Sequence, residues 1–173
     1  MPDSDDKSRN WITILTGPAA SGKNTIGHIY ATQFSAQCAV IDVDLVRWML
    51  RQPHAAPWEG EEGLRQHRLG VRHACMLAKS FAAEGYEVVI LDVVWADLGR
   101  VYRQELMKYA CRIVRLMPAW DESLKRLHER SHSISNAEAR WVYDQQLSFQ
   151  DFDYCLDNTA ISPEGVASWL VSL

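Results

Sequence analysis

The sequence predicts an α/β fold: a three-layer sandwich in which a five-stranded parallel sheet carries helices on both faces. Two observations carry that expectation. Short apolar runs (ITIL, CAVI, EVVIL, RIVRL and YCL) alternate with longer stretches of helical periodicity, the order of a parallel sheet built from strand–helix–strand units. The first run leads into a glycine-bearing loop, and the second and third are closed by Asp42 and Asp92. Ligands of open parallel sheets bind just beyond the carboxyl ends of the strands. The loop, Asp42–Asp44, Asp92–Trp95 and Pro118–Trp120 are therefore expected to meet on one edge.

Taken in order, residues 1–10 read as a frayed, acidic tail, unlike a signal peptide, and 11–173 as one domain without repeat or linker. Trp11–Thr16 is the first strand, and Lys23 to about Gln33 the first helix. Cys38–Ile41 is a buried strand; Val43–Arg51 is a helix that Pro53 ends. Gln52–Gly63, with its prolines, glycines and glutamates, is a loop. Leu64–Glu84 is helical, its face drawn through Leu69, Ala74, Leu77 and Phe81 and stopped by Gly85. Then follow a strand at Glu87–Leu91, a helix at Asp97–Tyr109 and a strand at Arg112–Leu116. Helices at Asp121–Arg130 and Asn136–Phe149, a short strand at Tyr154–Leu156 and a final helix opened by Ser162-Pro163-Glu164 complete the chain.

Bulk properties exclude several classes. At 173 residues, 47% hydrophobic and 23% charged, the chain can bury a full core and has the balance of an ordinary globular domain. A net charge of −4 gives no overall basic field for nucleic acid. No apolar run nears the roughly 20 residues that span a bilayer. Cys38, Cys75, Cys111 and Cys155 form no CxxC pair, so neither a zinc site nor a disulfide framework is indicated, and they read as buried thiols of a cytoplasmic protein.

The chemistry concentrates in Gly17–Thr25 (GPAASGKNT), where G-x-x-x-x-G-K stands between a strand and a helix. Such a loop turns successive backbone N–H groups inward, and the helix N-terminus adds its positive dipole end. Gly17, Ala19, Ala20, Ser21, Gly22, Lys23, Asn24 and Thr25 are the candidate phosphate-binding set, with Lys23 as a mobile charge. Asn24 stands where the strict Walker A pattern has Ser or Thr, and a plain strand-to-helix turn is the competing reading.

GPAASGKNT resembles the adenylate-kinase loop, IDVDLVRWML the stretch after the second strand of adenylylsulfate kinase, and DYCLDNTAISPEGVASWL the closing strand, turn and helix of small P-loop kinases. The chain thus resembles the nucleoside-monophosphate-kinase-like group, which includes adenylate, shikimate, gluconate and adenylylsulfate kinases and chloramphenicol phosphotransferase. The resemblance implies a P-loop NTPase fold, ATP and Mg²⁺ as cofactors, and a lid insertion at about 118–151 bearing Arg126, Arg130 and Arg140. It implies that Asp44 positions and deprotonates an acceptor hydroxyl, and that Asp92 orients metal-bound water. Asn24 is then a metal ligand directly or through water.

Several residues keep two readings. Asp42 either serves substrate and metal-bound water or caps the next helix, and Asp44 either acts as the base or only satisfies the helix dipole. Arg47 and Arg51 lie four apart and either grip an anionic acceptor or form a solvated face. Trp48, Trp58 and Trp95 form an aromatic acceptor wall or belong to the core. Arg126 and Arg130 either swing over the phosphates or line a solvated helix face; His128 and His132, four apart, lack a third metal ligand. The leading expectation is an ATP-dependent kinase of a small-molecule hydroxyl, with no membrane partner. The alternatives are a nucleotide-binding ATPase or regulator, and a kinase of nucleotides or nucleic-acid ends.

Overall fold

A computed structural model describes residues 11–129 and 134–173. Its five strands are β1 (Ile12–Thr16), β2 (Cys38–Asp42), β3 (Glu87–Asp92), β4 (Cys111–Leu116) and β5 (Tyr154–Leu156). They form one sheet in the order β2-β3-β1-β4-β5, with every pairing parallel. The helices are α1 (Lys23–Ile29), α2 (Val43–Arg47), α3 (Gly60–Ala83), α4 (Leu98–Glu105), α5 (Trp120–His128), α6 (Asn136–Ser148) and α7 (Pro163–Val171). No helix among the described residues is long and apolar enough to cross a membrane.

Strand alternation splits the core into two layers. Ile12 and Ile14 of β1 pack with Val71, Ala74 and Cys75 of α3 and Leu98 and Tyr102 of α4. Leu15, one residue after Ile14 and so on the opposite face, packs with Ile26 of α1 and Val166, Ala167 and Leu170 of α7. Each fully buried aliphatic chain contributes about 1.5–3 kcal/mol, so the two layers together fix which way every strand faces.

Element boundaries moved where local hydrogen bonding tightened. After Ile29 the first helix widens into a π turn at Tyr30–Phe34. The helix expected at Val43–Arg51 stops at Arg47, because Met49 and Leu50 donate three residues back, to Val46 and Arg47 carbonyls. α3 starts four residues before Leu64, where Gly60 takes φ +64° to enter it. Its buried face is also not the expected one. The inward stripe is Gly63, Gln66, His67, Gly70, Val71, Ala74, Cys75 and Ala78, whereas Leu77 and Phe81 are exposed. Small residues let this long helix lie close to its neighbours: a side chain at Gly70 would meet Arg47 Cγ at 2.4 Å.

Candidate functional site

The candidate phosphate loop begins where buried Thr16 ends β1. Gly17 has no room for a side chain, since a Cβ there would sit 2.6 Å from the Leu116 carbonyl and 2.7 Å from Ser21 Oγ. Ala20 (φ 59°) and Gly22 (φ 90°) take the left-handed conformation that curls the backbone into a cradle. Gly22 caps α1 with no side-chain acceptor, so no side chain competes for the helix's first N–H groups. Lys23 Nζ arches back over the loop, 3.5 Å from the Gly17 carbonyl and 3.4 Å from that of Pro18. From β5's side, Asn158 Nδ2 donates to the Ser21 carbonyl at 2.9 Å and braces the loop.

Beside it, Asn24 Nδ2 donates to Asp42 Oδ2 at 2.8 Å. The other oxygen of Asp42 accepts from the Asp44 backbone N–H at 2.9 Å, capping α2. Burial and the nearby Asp44 carboxylate push the Asp42 carboxyl above its ordinary range. Asp44 presents an exposed carboxylate at the same edge. Its partner Arg47 is buried, Nη1 lying 3.3 Å from Asp44 Oδ1 and Nη2 donating to the Ala55 carbonyl at 2.8 Å. Arg51, four residues on, is exposed beyond the end of α2. The two arginines therefore do not form one gripping face.

Asp92 has a different setting from the one expected of a residue orienting metal-bound water. It is buried, and both its oxygens are taken: Oδ1 accepts from His67 Nε2 and the Val93 N–H, each at 2.7 Å, and Oδ2 from Tyr102 Oη at 2.8 Å. Burial pushes its carboxyl up, but His67 and these donors outweigh it and hold the group below its ordinary range. Trp95 Nε1 donates to His67 Nδ1 at 3.1 Å. An indole N–H can only donate, so His67 Nδ1 accepts and Nε2 carries the proton given to Asp92. Trp95 is itself buried and packs edge-on against Trp141, with ring centroids 4.9 Å apart. Trp95 is therefore a core residue, not an exposed acceptor wall.

Two cavities flank the loop. The larger, about 440 Å³, is lined by Lys23, Asp44, Trp48, Trp58, Trp141 and neighbours. The smaller, about 220 Å³, lies between Ser21, Gly22 and Thr25 on one side and Arg126 and Asn158 on the other. Arg126 is half-committed to structure: it pairs with Glu122 at 2.8 Å and donates to the Asn158 and Thr159 carbonyls at 3.1 and 3.0 Å. It thus stands on the small-cavity side of the loop, away from Asp44's cavity. Arg130 and His132 lie outside the described residues. Arg140 pairs with Asp144 and rests over Trp120, and His128 contacts Asn136. Within the interval expected to form a lid, α6 is docked on the sheet edge: Gln146 bonds Thr16 and the Val94 carbonyl, and Tyr143 the Pro118 carbonyl.

Sequence reasoning missed His67, Tyr102, Gln146 and Asn158. Only His67 and Gln66 left a readable signal, as polar residues interrupting the Gly/Ala stripe of α3.

No protein-family model matches the chain, and no curated protein matches it. Solved structures do. An unliganded sugar kinase from Janibacter sp. HTCC2649 superposes with TM-score 0.71 at 15% identity, over 95% of this chain and 93% of that one. The APS kinase of Mycobacterium tuberculosis in complex with AMPPNP and APS gives 0.68 at 14% identity, over 95% and 96%. The tunicamycin resistance protein of Deinococcus radiodurans gives 0.66 at 16% identity, over 95% of each. The fold is that of the small P-loop kinases.

Proposed function

We propose that the chain is an ATP-dependent kinase that transfers the γ-phosphoryl group to the hydroxyl of a small molecule. The observation that carries this reading is that Lys23 of the phosphate loop and the Asp44 carboxylate line one cavity of about 440 Å³. A nucleotide lying along the loop would set its terminal phosphate beside Lys23, with its nucleoside end toward the smaller cavity at Thr25 and Asn158. The neighbouring kinase structures support the same assignment at the level of fold.

The chemistry is positioning and charge neutralisation. The acceptor oxygen attacks the γ-phosphorus in line as the bond from that phosphorus to the β–γ bridging oxygen breaks. ADP leaves with the electron pair, and the hydroxyl proton passes to Asp44. The loop amides and Lys23 hold the oxygens that gain charge.

The residues fit a Mg²⁺ ion at the loop's edge. Mg²⁺ keeps most of its waters and takes its other ligands from phosphates, so it needs few side chains. Asn24 and Asp42 are the residues that would hold it, Asp42 being a carboxylate whose ionised form is disfavoured by burial and by Asp44. When bound, the ion neutralises charge on the β- and γ-phosphate oxygens. Asp92, enclosed by its three donors, has no part in that set. The four cysteines are free, as expected, but only Cys75 is buried outright, its thiol pushed up to about 12, and Cys155 is exposed.

Measuring ATP consumption across a panel of small hydroxyl compounds, with phosphorylated product identified by mass, tests the reading. Product from at least one compound is expected. Turnover that no compound raises above the rate with water alone would overturn it.

A further inference from the structure

The larger cavity is aromatic on three sides, and among the described residues its cations are Lys23, at the loop, and Arg47, whose two Nη atoms are already given to protein acceptors. Trp48 enters from the turn after α2, Trp58 from the loop before α3, and Trp141 from α6. Two of these rings are held in place before any ligand arrives. Trp48 stacks on His54, with centroids 4.1 Å apart and planes 14° from parallel. Trp141 stands edge-on to Trp95, at 77°, and Trp95 is pinned through His67 to Asp92. The buried Asp92–His67–Trp95 chain thus has a use at the site: it sets the orientation of an aromatic wall. Rings fixed in this way bind a flat partner without first losing rotamer freedom.

The charged groups point the same way. Arg47 is the cation best placed to meet an anionic acceptor, yet its side chain is only 5% exposed and its two Nη atoms are given to Asp44 and the Ala55 carbonyl. Gly70 packs closely against its stem, where a Cβ would meet Arg47 Cγ at 2.4 Å. The exposed carboxylate at the cavity is Asp44, which repels an anion. Lys23 belongs to the phosphate side of the cavity.

From these we infer that the acceptor is an uncharged alcohol carrying a flat aromatic ring, which seats among Trp48, Trp58 and Trp141 while its hydroxyl reaches Asp44. This rests on the reading of the Asp44 cavity as the acceptor site.

The test is binding to the full chain, with ADP and Mg²⁺ present, by calorimetry or ligand-detected NMR. The probes are matched triplets built on several sugar and glycol cores: phenyl, cyclohexyl and 4-carboxyphenyl versions, for example the three β-glucosides. In at least one triplet the phenyl member is expected to bind about tenfold tighter than either partner, the scale of one or two well-placed aromatic contacts. Trp141→Leu should reduce that preference to about twofold. Trp48→Ala, at a site 54% exposed and so harmless to folding, should do the same if the Trp141 variant fails to fold. Equal affinities within every triplet, tighter binding of carboxylated members, no binding of any phenyl member, or a preference that survives the folded variants would each overturn the inference. Binding is read without phosphate transfer, so the two readings fail separately. A chain that prefers phenyl probes yet phosphorylates nothing sinks the kinase reading alone; one that phosphorylates carboxylated or saturated members by preference sinks this one alone.

Discussion

Asp42 and Asp92 close adjacent parallel strands, and each follows a run of apolar residues. Their fates are opposite. Asp92, on an inner strand, is covered by His67 of α3 and Tyr102 of α4, and its carboxylate is held below the ordinary range. Asp42, on the edge strand, opens toward the phosphate loop, and its carboxyl is pushed above that range by burial and by Asp44. A strand-ending acid is thus a site residue only if nothing roofs it. The helix that crosses above the strand end decides the matter, and here it is His67 in α3, with Tyr102 of α4, that converts one of two similar acids into a brace.

If the reactive half of the molecule is the loop and the edge-strand acids, the largest effect belongs to Lys23. Lys23→Ala should abolish ATP turnover and leave the circular dichroism spectrum unchanged; retained turnover would remove the loop from the chemistry. Next comes Asp44→Asn, which should keep nucleotide affinity but lower phosphate transfer by roughly 10²–10⁴, the scale of losing a general base. Near-normal transfer in that variant would shift the role to Asp42.

Asp92→Asn probes the other half. It trades a carboxylate with three charge-assisted donors for an amide that cannot accept them all, at a cost of about 2–4 kcal/mol. Thermal unfolding at pH 7 should fall by some 5–15 °C, with nucleotide affinity little changed at temperatures where the variant is folded. The folded-state carboxyl of Asp92 lies below its unfolded value, so its contribution is present above the unfolded pKa and is lost as pH falls through the folded one. Wild type and variant should therefore converge in stability on acidification. Unfolding temperatures that stay apart by the same margin at pH 3 would deny the carboxylate its part.

What the sequence made legible follows from local pattern. All five strands sit within a residue of where the apolar runs end, most legibly β1 and β3, because a strand buried on both faces must be apolar throughout. The loop was legible because Gly17 and Gly22 have backbone reasons to be glycine. Illegible were the contacts made across the sheet edge. Nothing near Asp92 announces His67, 25 residues away on a helix whose buried face is glycine and alanine rather than leucine. Arg47 looked available because a charged residue four from Arg51 reads as surface, whereas Gly70 of another helix and the Ala55 carbonyl are what enclose it. Asn24 looked like a metal ligand in place of serine, and its partnership with Asp42 depends on how α1 and β2 meet.

The smallest effect is the sharpest test of the comparison, because its sign is opposite. Asp42→Asn keeps an oxygen to cap α2, and Asn is as good an N-cap as Asp. The Asn24 amide can turn to accept from the introduced amide, so the local bonds survive. What disappears is a carboxylate that burial and Asp44 disfavour in the folded state. A folded carboxyl above its unfolded value favours folding below the unfolded pKa, and that contribution is lost as pH rises through the folded one. At pH 7 the ionised group therefore weakens the fold, and Asp42→Asn should raise the unfolding temperature by roughly 1–2 °C. At pH 3, where wild-type Asp42 is protonated in the fold, the gain should vanish. The same substitution should weaken Mg²⁺-dependent nucleotide binding measured by calorimetry, since it removes a charge the ion would meet. Stability gained and binding lost together is the signature of a residue held ready for a ligand; a variant less stable at pH 7 would put Asp42 in the same class as Asp92.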